Sequence, residues 1–218
     1  MPKPSKAIID KIFTIWHDEN PTPVTELNYV NNYTLLVAVV LSAQSTDVGV
    51  NKATEKLFEI ASTPEEMLDL GEAMLRNHIS TIGLYNGKAK NVIKLSQDLI
   101  TLHNSEVPED FDKLIKLAGV GQKTANVILN CAFGHPTIAV DTHVFRVSNR
   151  LAFCKTKTPE KTEIAILKTI PKKWQQHAHH WLILHGRYIC KAQKPLCNKC
   201  LINKFCNSKD KNYEFFTN

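Results

Sequence analysis

Apolar residues recur at intervals of three and four along most of the chain, the spacing that gathers them on one face of an α-helix. Ala89, Val92, Ile93, Ser96, Leu99 and Ile100 form one such stripe, Ala125, Ile128, Leu129 and Ala132 a second, and Ala178, Trp181, Leu182 and His185 a third. Start signals agree with them. Thr63-Pro64-Glu65-Glu66 supplies a capping hydroxyl, a proline at the first helical position and a glutamate three residues after the cap. Thr158-Pro159 repeats that logic, and Asp47 and Asp141 are placed to cap two further helices. The run Leu35 to Leu41 has the composition of a buried strand, and periodicity does not arbitrate. A single strand would have no partner, so the pattern as a whole predicts an all-α chain in which this run is a fully buried helix. No internal repeat, low-complexity tract or long linker interrupts the pattern.

The chain has 218 residues and is 43% hydrophobic, enough for one large or two small domains with an ordinary core. That apolar run is seven residues long, far short of the ~20 that span a bilayer, so no membrane segment is expected. Met1-Pro2-Lys3-Pro4-Ser5-Lys6, followed by Asp10 and Lys11, lacks the apolar core of a secretory signal, and a cytoplasmic location follows. Lys and Arg number 27 against 21 Asp and Glu, a net +6 that suits a polyanionic partner without requiring one. The polar tail from Asn207 to Asn218, with Phe215 and Phe216 near its end, is expected to be loosely ordered.

Four of the six cysteines, Cys190, Cys197, Cys200 and Cys206, crowd into seventeen positions in the spacing C-x6-C-x2-C-x5-C, while Cys131 and Cys154 stand apart in apolar surroundings. Such bunching favours thiolates on a metal centre in a reducing compartment over disulfides. Four cysteines suit zinc or an iron-sulfur cluster alike, although the 6-2-5 spacing departs from the paired C-x2-C halves of a zinc ribbon. His177, His179, His180 and His185 lie just upstream, and His185 falls on a buried stripe as a core histidine would. Lys191 and Lys194, between the first two cysteines, are either solvated surface charges or a phosphate clamp on a loop that the metal closes.

Phe111 to Leu117 reads as a short helix, Ala118-Gly119-Val120-Gly121 as a turn and Gln122 onward as a second helix, together a helix-hairpin-helix. Glycines at 119 and 121 would let the hairpin N–H groups reach a phosphate oxygen at the positive end of the helix dipole; alternatively they mark an ordinary tight turn. Lys123, in the first helical turn, sits where a cation is electrostatically disfavoured, and that misplacement marks it as a site residue. At its ordinary pKa of ~10.4 only about one lysine in 2,500 is the neutral, nucleophilic amine at pH 7. The helix terminus and partial burial are expected to raise that fraction; binding phosphate as a point charge is the other role open to it. Asp141, in Val140-Asp141-Thr142-His143, reads from spacing as an N-cap, a role compatible with that of a rigidly aimed, ionised carboxylate.

The hairpin with its lysine, the Val140-Asp141-Thr142-His143 segment and the four-cysteine spacing together resemble the endonuclease III family of the helix-hairpin-helix DNA glycosylase superfamily. Further matching segments are Leu41 to Asp47, Ile82 to Asn86 and His180 to Arg187, in the family's order, so the likeness covers nearly the whole chain. It implies a two-lobed all-α fold, with a helical barrel over 25–135 and a discontinuous lobe of 1–24 and 136–218 that carries a 4Fe-4S cluster on the four cysteines. It further implies a cleft between the lobes holding Lys123 as nucleophile and Asp141 as catalytic carboxylate. Gln44 and Leu84 would fill the gap left by an extruded nucleotide, and Gly119, Val120, Gly121, Lys191 and Lys194 would hold the backbone. The implied substrate is duplex DNA with oxidised pyrimidines or abasic sites, handled in the cytoplasm on the nucleoid by a monomer. Two alternatives are an adenine-mismatch glycosylase, which typically lacks a nucleophile at position 123, and a DNA-binding cluster protein without catalysis. The family usually has proline where Ala118 stands, a departure that makes the hairpin less rigid.

Overall fold

The structure, a computed structural model, describes residues 3–213 and is helical throughout them, with no strand among the described residues. Ten α-helices follow one another: α1 (Lys6–Glu19), α2 (Asn32–Leu41), α3 (Asp47–Ile60), α4 (Pro64–His78), α5 (Tyr85–His103), α6 (Phe111–Leu114), α7 (Gln122–Phe133), α8 (Thr142–Arg150), α9 (Pro159–Thr169) and α10 (Lys172–Leu184). A π-helical turn, His185–Ile189, continues α10, and two short 3₁₀ turns, Cys197–Lys199 and Asn203–Phe205, follow. The chain divides into two compact units, one of residues 25–134 and one of 1–24 with 135–218. No helix among the described residues is long and apolar enough to cross a membrane.

In the unit of residues 25–134, α2 is the core element: Tyr33 to Leu41 are all buried, and α3, α5 and α7 pack against it. The valine-rich run is therefore a helix buried on every side. Its start is fixed by a capping box in which the Asn31 side chain accepts from the Thr34 N–H while Thr34 Oγ1 accepts from the Asn31 N–H. Thr63 and Glu66 form the reciprocal cap of α4, as the sequence predicts. Asp47 does not cap α3. Thr46 does so, accepting from the Gly49 N–H, and Asp47 is the first helical residue, where its charge still complements the dipole. The helix before the hairpin is also shorter than its pattern predicts, because after Leu114 the chain tightens into three-residue turns, Leu117 N–H to Leu114 O and then Val120 N–H to Leu117 O.

In the other unit, α1, α8, α9 and α10 enclose a core that includes Ile9, Ile12, Phe13, Val144, Val147 and Phe153. Phe13 stacks on Phe153 and Trp174 at centroid distances of 5.9 and 6.3 Å and meets Trp16 edge-on at 5.1 Å. Two indole N–H groups are satisfied, Trp174 donating to Asp10 Oδ1 and Trp181 to the Asn20 carbonyl. Thr158 caps α9 with Pro159 at its first position, and Asp141 caps α8. Residues 207–213 of the tail are not loose. Ser208 and Asn212 turn backbone N–H groups toward the sulfurs of Cys206 and Cys197, and Asp210 pairs with Arg150 at 3.0 Å. Phe215 and Phe216 lie outside the described residues.

Candidate nucleic-acid and metal site

The two hairpin glycines have different reasons to be glycine. Gly119 has φ +77°, and a Cβ there would lie 3.1 Å from Asn91 Cβ, Asn91 Nδ2 and Val40 Cγ1, so it is demanded by the protein's own packing. Gly121 caps α7 with an extended backbone, is exposed, and a Cβ there would meet nothing within 4 Å. Its bareness leaves the hairpin backbone open to a partner. Lys123 follows in the first turn of α7 and is exposed, not partly buried as the sequence predicts. Val120, between the glycines, is buried and anchors the turn.

Gln44 and Leu84, in the same unit, both adopt left-handed backbone, φ 55° and 59°. For residues with a Cβ this costs roughly 1–2 kcal/mol each and marks positions fixed by their surroundings. Leu84 is 64% exposed as it opens α5 with no side-chain cap, an apolar side chain projected into solvent from a rigid helix end. It lines one hollow with Val40, Ala43, Lys88, Asn91 and Gly119, so the structure brings the Leu84 turn and the hairpin around a common concavity. Lys88 is a residue that the sequence did not mark. It is 5% exposed and donates from Nζ to Ser45 Oγ at 2.8 Å, with burial lowering its pKa.

In the other unit, Asp141 Oδ1 accepts from the Val144 N–H at 2.8 Å, which holds the carboxylate at the mouth of α8. Two arginines further along α8 clamp the cysteine loop. Arg146 donates to the carbonyls of Gly186 at 2.8 Å and Cys190 at 3.1 Å; Arg150 donates to those of Lys191 at 2.6 Å and Ala192 at 3.0 Å, and its Nη1 lies 3.6 Å from Cys190 Sγ. Nothing in the sequence signals this clamp, since a basic residue late in a helix reads as dipole compensation. Lys191 and Lys194 are both exposed on the loop so held.

All four cysteines line one cavity, together with Leu151, Ile189 and Leu196. Each sulfur has a nitrogen nearby: Arg150 at Cys190, the Asn212 N–H 3.4 Å from Cys197, His185 Nε2 3.8 Å from Cys200 and the Ser208 N–H 3.5 Å from Cys206. Nitrogen donors around sulfur are the second shell that thiolate-bound metals use. Burial pushes the Cys190 thiol up and the Cys200 thiol up to about 11, so a cation must offset desolvation before these groups become ligands. No three His, Cys, Asp or Glu side chains among the described residues converge on a single ion position. His185 is buried as expected, but in the π-helical turn, where α10 has already changed its winding.

Backbone laid open at Gly121, with a cation in the first turn of α7, is an arrangement suited to a phosphate chain, and comparison with known proteins supplies the class. The profile of HhH-GPD superfamily base excision DNA repair proteins matches residues 37–172, and the chain belongs to that superfamily. Within it the similarity is to endonuclease III: the chain is 58% identical to that of Rickettsia conorii over 92% of its own length and 95% of the relative's, and 54% identical to that of Escherichia coli K12 over 95% and 98%. Among solved structures, a non-covalent endonuclease III–DNA complex superimposes with a TM-score of 0.87 at 45% identity, covering 94% of this chain and 96% of that one. A trapped endonuclease III–DNA covalent intermediate gives 0.86 at the same identity and coverage.

Proposed function

We infer that this chain is a bifunctional DNA glycosylase and AP lyase of base excision repair that removes oxidised pyrimidines from duplex DNA and nicks the strand at the resulting abasic site. The observation that carries the reading is the exposed Lys123 directly after a hairpin whose Gly121 is open to a partner. Hairpin N–H groups and the exposed Lys191 and Lys194 take the phosphates, and the damaged nucleotide swings out at a cost of a few kcal/mol. Gln44 and Leu84, preset in left-handed backbone, enter the vacated stack.

The neutral amine of Lys123 attacks the anomeric carbon, the bond to the base breaks, and Asp141 offsets the positive charge that develops on the sugar. The sugar ring then opens at the bond between the anomeric carbon and the ring oxygen, which takes up the nitrogen's proton, and the iminium so formed acidifies the neighbouring sugar carbon; loss of that proton expels the 3' phosphate by β-elimination. Only the neutral form of the Lys123 amine attacks carbon.

Cys190, Cys197, Cys200 and Cys206 would hold a 4Fe-4S cluster, which when bound staples the loop that presents Lys191 and Lys194. A shared cavity and a nitrogen donor near each sulfur support a thiolate-bound metal group, and the 6-2-5 spacing favours a cluster over the paired halves of a zinc ribbon. Acting on genomic DNA, the chain would work as a monomer on the nucleoid. The test is borohydride reduction in the presence of abasic-site DNA. A covalent adduct is expected from the parent and none from Lys123→Gln; equal trapping by both removes Lys123 from the mechanism and with it the lyase reading.

A further inference from the structure

Lys88 is the buried cation that the proposed reaction leaves without a task. It lies one turn into α5 from Leu84, its backbone N–H donating to the Leu84 carbonyl at 3.1 Å, and its side chain runs back to the turn that carries Gln44. There Nζ meets the hydroxyl of Ser45, the residue after Gln44, at 2.8 Å. The two turns also touch without it, since a Cβ built on Gly83 would lie 3.7 Å from the Gln44 carbonyl oxygen. Gln44 and Leu84, flanking this contact, are both in strained left-handed backbone.

Burying an ammonium against one hydroxyl is a poor device for stability, because methionine would fill the same space without the desolvation cost. What this hydrogen bond from a charged donor adds is a fixed separation between two turns. At 5% exposure, Lys88 is also withdrawn from any phosphate.

We propose that Lys88 is a positioning residue for nucleotide extrusion: hydrogen-bonded to Ser45, it braces the Gln44 turn against the Leu84 turn so that both side chains enter the duplex as one rigid pair. This rests on the reading of Gln44 and Leu84 as the residues that fill the vacated stack. Rigid spacing lets the two insertions share one ordering cost, which a loosened pair would meet separately on DNA.

The test is single-turnover base excision on two duplexes, one with the lesion in a stable pair and one with it opposite a gap, with unfolding midpoints recorded alongside. Lys88→Met and Ser45→Ala are each expected to slow excision about tenfold on the paired lesion and distinctly less on the gapped one, where extrusion is nearly free. The loss from Lys88→Met should shrink in a Leu84→Ala background, since both changes damage one device. Equal slowing on the two duplexes would mean general damage to the fold and would overturn the brace, as would full additivity with Leu84→Ala. A salt dependence of binding shallower by about one phosphate contact would overturn it too, by making Lys88 a direct DNA ligand. Should Lys88→Met not fold, Ser45→Ala decides alone by the same two-duplex ratio. If Leu84→Ala leaves excision from the paired duplex intact, the filling role itself fails, an outcome distinct from Leu84→Ala slowing it while Lys88→Met and Ser45→Ala do not.

Discussion

In α2, Tyr33 to Leu41 are all buried; in the cysteine loop from Cys190 to Cys206, only Pro195 and Ile202 are. Helix α2 needs nothing but apolar surface removed from water and a capped start, whereas the loop has almost no such surface to remove. It is held by Arg146 and Arg150, by N–H groups aimed at sulfur, and by whatever its four thiolates bind. One chain thus folds a framework by burial and holds its charged loop by hydrogen bonds and, as proposed, by ligation, and the two kinds of region should fail under different insults.

Stripping the metal is expected to have the largest effect, since a structural metal centre contributes on the order of 10 kcal/mol to the segment it folds. Limited proteolysis after chelation should then cut within 190–206 and spare α2; equal cutting of both would erase the contrast. Leu36→Ala, in the fully buried helix, should lower the free energy of unfolding by about 2–5 kcal/mol while the metal stays bound, as urea midpoints and visible absorption would report. Arg150→Met leaves the carbonyls of Lys191 and Ala192 without their donor, for a loss of about 1–3 kcal/mol confined to the loop. Hydrogen exchange should quicken there and not in α2.

The smallest effect is graded with pH and arises in α10. Burial first, then the charges of His179 and His177, holds His180 down to about 3. Its folded pKa lies below the unfolded value near 6.5, so the stability it contributes is intact above pH 6.5 and falls as pH drops, by about 1.4 kcal/mol per unit. Urea midpoints taken between about pH 7.5 and about pH 5 should decline below 6.5 in the parent and less so in His180→Leu.

Much of this was legible before any coordinates. Local chemistry announced itself: the Thr63 and Thr158 caps, the buried run of α2 and the cysteine spacing each depend on residues a few positions apart. What stayed hidden joins distant residues. Arg150 reaches Lys191 across 41 positions and Lys88 reaches Ser45 across 43, and nothing in either neighbourhood names the partner. Asp47 misled because two candidate caps stood side by side and hydrogen-bond geometry chose Thr46. The hairpin glycines looked equivalent in sequence and are not, because one answers to Asn91 and Val40 and the other to empty space.

That empty space has a practical consequence for anyone screening variants. The Cβ of an alanine at position 121 would lie within 4 Å of nothing belonging to the molecule itself, so a thermal melt would register little beyond a weaker helix cap. Surveys that sort substitutions by heat tolerance alone would pass over a position whose proposed task is to meet nucleic acid.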